Sequence, residues 1–245
     1  MPATTVRALC LALYDYANTS QIGVFLTREM GQVRGLAKGA LRPTGSFEGG
    51  LEVGAVYDLS LLPRTDGLDL LTRARMVEAF PAVRGSEAAL NAAFFVLELG
   101  AQLTVEHDPQ PEFFDAAIGS LRLLDKGAPR DIVLFAFEAS AMRLLGFMPA
   151  VESCAGCGAV LPVRPAFSPR YGGALCAACG PRDPGAKPVS AGALRMLARL
   201  AEGAIPLSSL AIDARVARDL RAAFNLFWLN LLGREPRSAR FLDPA

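Results

Sequence analysis

Four of the five cysteines in this 245-residue chain stand in two close pairs, Cys154 with Cys157 and Cys176 with Cys179. The pattern C-x2-C-x18-C-x2-C lies within the spacing that is typical of four-thiolate zinc sites. Two residues between cysteines let both sulfurs of a turn face one ion, and the longer excursion brings the second turn opposite. Because four thiolates fill a tetrahedral shell, the sequence predicts one structural zinc ion as cofactor. Two redox-active dithiols, or cysteines without a ligand, are the alternatives.

Few other residues suggest chemistry. Cys10 lies in an apolar alternating segment, which favours a small buried hydrophobe. The single histidine, His107, has no nucleophile or metal motif beside it and is expected to be exposed at a helix end. Glu98 and Glu138 each interrupt an apolar helix and are interpreted as polar edges rather than as an acid and base pair. With no phosphate-binding or dinucleotide-binding glycine motif, the chain is predicted not to be an enzyme.

The elements that must position these residues begin with strands. Short runs rich in Val, Leu and Ile are separated by turn residues over the first 80 positions. The runs are Thr5–Leu13, Gln21–Thr27, Gln32–Lys38, Leu51–Leu62 and Leu68–Val77. Five strands without an intervening helix predict a small closed barrel, most commonly the OB-fold. An SH3-like barrel or a small sandwich fits the pattern almost as well.

Helical patterns replace the strands from Pro81 onward. The predicted helices are Ser86–Leu103, Glu112–Asp125, Pro129–Leu145, Ala191–Glu202 and Asp213–Gly233. Ser86 is expected to cap the first of these, and Ser190 the fourth. On the last of these, the side away from the apolar stripe is expected to carry Arg215, Arg218 and Arg221. The basic tail after Gly233 is not expected to be helical.

The predicted fold class is therefore α+β: an N-terminal five-stranded OB-fold barrel, then an α-helical domain with an inserted zinc-ribbon-like element that holds the four paired cysteines. The expected boundaries are a barrel over 1–80, a first helical part over 81–150, the zinc-binding insert over 151–187, and a second helical part with the tail over 188–245.

The charge is nearly balanced, since 25 Lys and Arg face 24 Asp and Glu, and this excludes a uniformly basic nucleic-acid coat. A local cluster nevertheless lies on the predicted second and third strands and the turns that follow them. It consists of Arg28, Arg34, Lys38 and Arg42. These strands form the usual oligonucleotide platform of an OB-fold, and nearby aromatic rings are candidates for base stacking. The rings are Tyr16, Phe25 and Phe47. The alternative is a solvated hairpin with ordinary surface charge.

The apolar segments are too short to cross a membrane, and Arg7 interrupts the apolar N-terminus where a signal peptide would need continuity. An odd cysteine count fits a reducing compartment better than a disulfide framework. We therefore expect a cytoplasmic protein without a membrane partner.

Taken in order, these features resemble the RecO family of bacterial recombination mediators. The N-terminal part carries the run T-R-E-x-G-x-V-R-G-x-A-K-G over residues 27–39. The middle carries Phe137-Glu138, then L-L-G-F-M-P over residues 144–149. The element G-G-x-L-C over residues 172–176 ends at the first cysteine of the second pair, and R-S-A-R-F-L follows near the end of the sequence over residues 237–242. The resemblance extends over nearly the whole chain.

The resemblance implies a non-enzymatic, nucleoid-associated protein of recombinational repair. Such a protein binds single- and double-stranded DNA, anneals complementary strands, and works with RecR and RecF to load RecA onto DNA coated by single-stranded DNA-binding protein. It also implies that Arg28, Arg34 and Lys38 face DNA, with Arg42 as their neighbour. The acidic tail of single-stranded DNA-binding protein is expected in an apolar groove whose candidate rim charges are Arg122, Lys126, Arg130 and Arg143. The runner-up function is a zinc-ribbon scaffold that touches DNA only incidentally.

Overall fold

The structure, a computed structural model, describes residues 4–43, 46–47, 50–64, 67–203, 207 and 210–242. By its backbone contacts the chain divides into two compact units, Met1–Gly127 and Ala128–Asp243. Among the described residues, the first unit holds a barrel and three α-helices, and the second holds a small sheet, three α-helices and short 3-10 turns. The boundaries predicted at residues 80, 150 and 187 stay predictions.

The first unit contains a closed barrel of five strands: β1 (Thr4–Tyr16), β2 (Ser20–Thr27), β3 (Gly31–Ala37), β4 (Val56–Leu62) and β5 (Asp69–Glu78). Their order is β1-β2-β3-β5-β4, and β4 pairs back onto β1. The β3–β5 pair is parallel and the others are antiparallel. Five strands closed in this order form an OB-fold, which confirms that prediction over the SH3-like barrel and the sandwich.

The prediction that the fourth strand begins at Leu51 is wrong, because the strand begins at Val56. Gly54 has a φ of +83°, which is not an extended conformation, so the strand cannot continue through this residue. The segment instead bonds to β1, since the Gly54 N–H donates to the Cys10 carbonyl at 2.8 Å and the Cys10 N–H donates to the Ala55 carbonyl at 2.9 Å. A loop that packs on the barrel therefore takes the place of the expected strand start.

The barrel interior is filled by apolar side chains that alternate along the strands, such as Val6 and Ala8 of β1 and Leu59 and Leu61 of β4. Cys10 belongs to this core and has no exposed surface. Burial raises the pKa of its thiol, so Cys10 stays neutral. The structure thus confirms Cys10 as a small buried hydrophobe.

Three helices complete the first unit: α1 (Pro81–Arg84), α2 (Glu87–Leu103) and α3 (Pro111–Asp125). As predicted, Ser86 caps α2, because its Oγ accepts the Ala89 N–H at 3.3 Å. Helix α2 is joined to β3, where the Gln32 side-chain amide donates to the Ala101 carbonyl at 3.1 Å. Part of the barrel's outer surface is therefore covered by helix.

The second unit contains three short strands and three long helices. They are α4 (Arg130–Leu144), β6 (Ala166–Ser168), β7 (Gly173–Leu175), β8 (Lys187–Pro188), α5 (Ala191–Glu202) and α6 (Ala214–Leu232). The strands form a sheet in the order β7-β6-β8. The expectation of a non-helical tail is wrong, because Arg237–Phe241 forms a 3-10 helix whose last turn is closed by the Leu242 N–H. Ser190 caps the start of α5, as the sequence predicts, and the Asp213 side chain caps the start of α6.

A buried ion pair joins α4 to α6. The Glu138 carboxylate is completely buried and accepts two bonds from the Arg221 guanidinium, at 3.2 and 2.8 Å, and one from the Trp228 ring N–H at 2.7 Å. The expectation that Arg221 lies with Arg218 on the outer side of its helix is therefore wrong. Glu98 accepts a bond at 2.7 Å from Gln102 on its own helix, as a polar edge would.

No helix among the described residues is long and apolar enough to cross a membrane.

Candidate metal centre and nucleic-acid surface

The four paired cysteines converge on one point of the second unit. The Sγ atoms of Cys154, Cys157, Cys176 and Cys179 all lie within 4.8 Å of one another. Those of Cys157 and Cys176 are 3.7 Å apart. A tetrahedral zinc ion with Zn–S bonds of about 2.3 Å requires sulfur–sulfur edges of about 3.8 Å, whereas a disulfide requires about 2.0 Å. The arrangement is therefore that of a four-thiolate metal site.

The four sulfurs are held in place by two tight turns and by the end of strand β7. In the first turn the Gly158 N–H donates to the Cys154 carbonyl at 2.8 Å, and in the second the Gly180 N–H donates to the Cys176 carbonyl at 2.8 Å. Cys176 is the first residue after β7. A Cβ atom at Gly156 would lie 3.2 Å from the Cys179 sulfur, so a side chain at this position would crowd the point where the two pairs meet.

The pKa values of the cysteine thiols also fit a site that binds a cation. The Cys176 N–H donates to the Cys154 Sγ at 3.3 Å and lowers the pKa of Cys154 to about 6. In contrast, hydrogen bonding with the Cys157 sulfur and burial raise the pKa of Cys179. Four sulfurs this close resist ionising together unless a positive ion compensates them. The donor set suits a thiophilic divalent ion such as zinc, which would be held by all four sulfurs with no position open to water.

The basic residues predicted to contact nucleic acid all lie on or beside β2 and β3. Along β3 the side chains alternate as expected: Val33 and Ala37 are buried while Arg34 and, just beyond the strand, Lys38 are exposed. Arg28 lies in the β2–β3 turn and Arg42 in the turn after β3, both exposed. The structure thus keeps the four cations on one hairpin and its flanking turn.

Two of these cations are already paired. The Arg28 guanidinium donates to both oxygens of Asp115 at 3.2 and 3.1 Å. The Nε of Arg34 lies 3.2 Å from an oxygen of Glu106. Lys38 and Arg42 form no ion pair with a carboxylate of the described residues. The positive charge available to an anion is therefore concentrated at the end of β3.

The aromatic candidates separate into two groups. Phe25 is fully buried and Phe47 nearly so, both in the barrel core, so the expectation that they stack on bases is wrong. Tyr16 is 52% exposed, as a stacking ring requires. Tyr14, which the sequence pattern does not single out, is 59% exposed. It lies opposite Ile22, which lies opposite Leu36, so these three side chains share the outer face of β1, β2 and β3.

The signal that would identify Tyr14 is concealed by an irregularity in β1. Counting by twos from the buried Cys10 places Ala12, Tyr14 and Tyr16 inside the barrel. The β1–β2 register shifts between Cys10 and Ala12, because Leu11 is an extra residue in the strand. Beyond this bulge the alternation reverses, and both tyrosines point outward.

His107 is exposed in the loop after α2, with a φ of +61°. The Val105 carbonyl of this loop accepts the Gln32 N–H at 3.0 Å, which brings Glu106 beside Arg34. Gly31 makes this approach possible, because a Cβ there would lie 2.5 Å from the Asp108 carbonyl oxygen. His107 therefore belongs to a loop that pairs with β3 rather than to a helix end.

The four residues predicted to line the rim of an apolar groove are divided between the two units. Arg122 and Lys126 belong to the first unit, and Arg122 pairs with both oxygens of Glu78 at 2.8 and 2.7 Å. Arg130 and Arg143 belong to the second unit, where they donate to the carbonyls of Leu242 at 2.7 Å and Ala201 at 2.6 Å. Three of the four side chains are thus used within their own unit.

Comparison with known proteins gives consistent matches over the whole chain. The family model described as Recombination protein O N terminal matches residues 1–80, and the model described as Recombination protein O C terminal matches residues 87–240. The DNA repair protein RecO of Anaeromyxobacter dehalogenans strain 2CP-C is 35% identical over 99% of this chain and 97% of its own length. The proteins of the same name from Desulforudis audaxviator and Myxococcus xanthus are 38% identical over 89% and 88%, and 34% identical over 96% and 95%, of the two chains.

Proposed function

The chain belongs to the RecO family of DNA repair proteins, and we propose that it is a non-enzymatic recombination mediator that binds single- and double-stranded DNA through its barrel. In this role it anneals complementary strands and, with RecR and RecF, helps RecA load onto DNA coated by single-stranded DNA-binding protein. The zinc ion is structural, and the protein acts in the cytoplasm on the nucleoid.

The observation that carries the proposal is the outer face of the barrel where β1 ends, β2 begins and β3 ends. It presents Tyr14 and Tyr16 on β1, with Ile22 and Leu36 beside them and the exposed Lys38 at the end of β3. Exposed rings give bases a surface on which to stack without regard to sequence. Cations beside them neutralise phosphates. A mediator needs this combination, since it must hold any strand and release it.

The cations have unequal roles in this proposal. Lys38 and Arg42 are available to meet phosphates directly, whereas Arg28 and Arg34 must first exchange Asp115 and Glu106 for a phosphate. Such an exchange between exposed partners costs little, because an exposed ion pair contributes about 0–1 kcal/mol. All four therefore remain candidate contacts, with Lys38 and Arg42 first.

The proposal is tested with Arg34→Ala/Lys38→Ala in an oligonucleotide-binding assay across a salt titration. The variant should bind a single-stranded oligonucleotide more weakly, and its salt dependence should be flatter, because fewer counterions are released. The matched control is Arg84→Ala/Lys126→Ala, which removes two exposed cations of the first unit, one at the end of α1 and one just after α3. Equal binding by the Arg34/Lys38 variant and the wild-type protein at every salt concentration would exclude this surface.

Annealing of complementary oligonucleotides, with and without single-stranded DNA-binding protein, tests the wider function. A mediator accelerates annealing in both conditions. The alternative, a zinc-ribbon scaffold, would bind its protein partners but would leave the annealing rate and a single-stranded oligonucleotide at low salt unchanged.

A further inference from the structure

A cavity of about 400 Å³ lies in the first unit, between the barrel and helix α3. We call it the three-arginine cavity, after Arg7 of β1, Arg28 of the β2–β3 turn and Arg122 of α3. The other residues that line it are Val56, Phe114, Asp115 and Ile118. Ligand pockets of proteins range from about 300 to 1,000 Å³, so the cavity has room for a group of the size of a nucleotide.

Two of the three arginines are held in place by a carboxylate that binds one edge of the guanidinium. Arg28 donates from Nε and Nη2 to Asp115 at 3.2 and 3.1 Å, and Arg122 donates from the same two atoms to Glu78 at 2.8 and 2.7 Å. Among the described residues the two guanidinium groups form no other hydrogen bond, so the donors on Nη1 remain available. Because these side chains are already ordered, binding a further anion costs them little conformational entropy.

The carboxylates around the cavity do not cancel its positive charge. Arg7 donates from Nε alone to Asp58, at 2.8 Å, and Asp58 also pairs with Arg75. One carboxylate thus serves two arginines, and four arginines of this cluster face three carboxylates. Within the part of the chain that the structure describes, Asp115 is the one acidic residue that lines the cavity itself. An anion that enters the cavity therefore meets more positive than negative charge.

The rest of the lining is apolar. Val56, Phe114 and Ile118 are all buried, so they keep bulk water from one side of the arginines and strengthen the attraction between these and an anion. Because the ring of Phe114 is buried, it offers no face on which a base could stack. The cavity is therefore suited to a phosphate group and has no means of distinguishing one base from another.

We propose that the three-arginine cavity binds a phosphate monoester, the group found at the phosphorylated end of a DNA strand and on a free nucleotide. A monoester carries a charge of about −1.5 to −2 at neutral pH and three terminal oxygens, one for each arginine. A phosphodiester within a strand carries one charge and two free oxygens, and the strand must leave the cavity on both sides of it. The inference rests on the DNA binding proposed for the barrel and deepens it, since it adds a contact that only the end of a strand can make.

The test uses full-length, zinc-loaded protein and a short single-stranded oligonucleotide that is labelled at its 3′ end and carries either a phosphate or a hydroxyl at its 5′ end. Anisotropy titrations should show that the wild-type protein binds the phosphorylated form about tenfold more tightly. Arg7→Gln/Arg122→Gln should bind the two forms equally. Its side chains are 42% and 54% exposed, so the fold should persist, which thermal melting checks. The matched control is Arg75→Gln/Arg84→Gln, which removes two exposed, ion-paired arginines of the same unit outside the cavity and should keep the preference.

A second measurement separates the two sources of the phosphate group. The melting temperature of the protein is followed with thymidine 5′-monophosphate and with thymidine at equal ionic strength. A rise with the monophosphate alone, absent from Arg7→Gln/Arg122→Gln, would show that a free nucleotide fills the cavity. No rise, together with a preference for the phosphorylated oligonucleotide, would assign the cavity to strand ends.

Equal binding of the two oligonucleotides by the wild-type protein, together with no rise in melting temperature, would overturn the proposal. A preference that Arg7→Gln/Arg122→Gln retains would overturn it as well. Failure of the DNA binding proposed for the barrel gives a different result, since neither oligonucleotide would then bind. Arg34→Ala/Lys38→Ala should weaken the binding of both oligonucleotides by the same factor and keep their ratio, which separates the two surfaces.

Discussion

Arg34 and Glu106 meet across the edge of the barrel, with the Nε of the arginine 3.2 Å from a carboxylate oxygen. Both side chains are at least half exposed. The pair exists because the loop after α2 bonds to the start of β3 through the Gln32 N–H. A cation of the proposed DNA surface is thus held by an anion that DNA must displace.

Replacing Glu106 with Gln should strengthen binding of a single-stranded oligonucleotide roughly two- to fivefold at low salt, because Arg34 no longer exchanges one anion for another. The salt dependence should become steeper, since no freed Glu106 carboxylate takes up a cation when Arg34 binds a phosphate. Anisotropy titrations at several salt concentrations measure both effects. Glu112→Gln removes an exposed acid of α3 and serves as the control. Equal effects of the two variants would mean that only net charge matters and that Arg34 does not contact DNA.

The exposed tyrosines of β1 should carry base stacking. Tyr14→Ala and Tyr16→Ala should each weaken single-stranded DNA binding by about 1–3 kcal/mol if the ring stacks on a base. Duplex binding should change less, because paired bases are not available for stacking. Circular dichroism and thermal melting should be unchanged, since both rings are more than half exposed. An equal loss for single- and double-stranded DNA would contradict stacking, and Tyr171→Ala in the second unit is the matched control.

The parts of this fold that the sequence predicts are those set by local chemistry. Helix α5 has the predicted bounds because Ser190 caps its start and Gly203, at a φ of +68°, ends it. The metal site is predictable because two cysteines in one turn must face the same side, so spacing alone indicates convergence. Strand alternation likewise places Arg34 and Lys38 on the outside of β3.

What the sequence does not predict depends on contacts between distant residues or on one inserted residue. The bulge at Leu11 reverses the direction of Tyr14 and Tyr16, and nothing in the local pattern marks it. Helical periodicity assigns Arg221 to the solvent face of α6, but Glu138, 83 positions earlier, holds it inward. Phe25 is a stacking candidate by its position in the sequence, yet the closed barrel encloses it. Strand alternation and helical periodicity show which side chains lie on the same face of an element. They do not show whether other parts of the chain cover that face.

The four-cysteine site should bind one zinc ion per chain. Cys176→Ser should reduce bound zinc to near zero and lower the melting temperature, because the ion holds the first cysteine turn to the end of β7 and a structural zinc ion contributes to folding directly. Elemental analysis of protein purified without chelator measures the stoichiometry. Cys10→Ala is the control, since that residue lies in the barrel core and should leave the zinc content unchanged. Wild-type protein with less than half an equivalent of zinc would refute the site.

The buried Glu138–Arg221 pair should make stability depend on pH in a defined direction. Burial raises the pKa of Glu138, while Arg221 and the Trp228 ring N–H lower it in part. The pKa of Glu138 is therefore higher in the folded than in the unfolded protein, so its protonation favours the folded state. This contribution to the free energy of unfolding is full below the unfolded pKa and is lost as pH rises through the folded pKa. Arg221→Leu removes the main opposing charge and raises the folded pKa further, leaving a buried unpaired carboxylate at neutral pH.

That variant should lose about 3–5 kcal/mol of unfolding free energy at neutral pH, the cost of breaking a buried pair. The loss should shrink as pH falls, because a proton neutralises Glu138. Urea unfolding at a series of pH values measures this, with Arg218→Leu, an exposed arginine of the same helix, as the control. The double variant Glu138→Gln/Arg221→Leu should recover part of the stability at neutral pH and should lose the pH dependence. A destabilisation by Arg221→Leu that is constant across pH would mean that the lost packing of its side chain against Phe135, rather than the unpaired buried charge of Glu138, accounts for the effect.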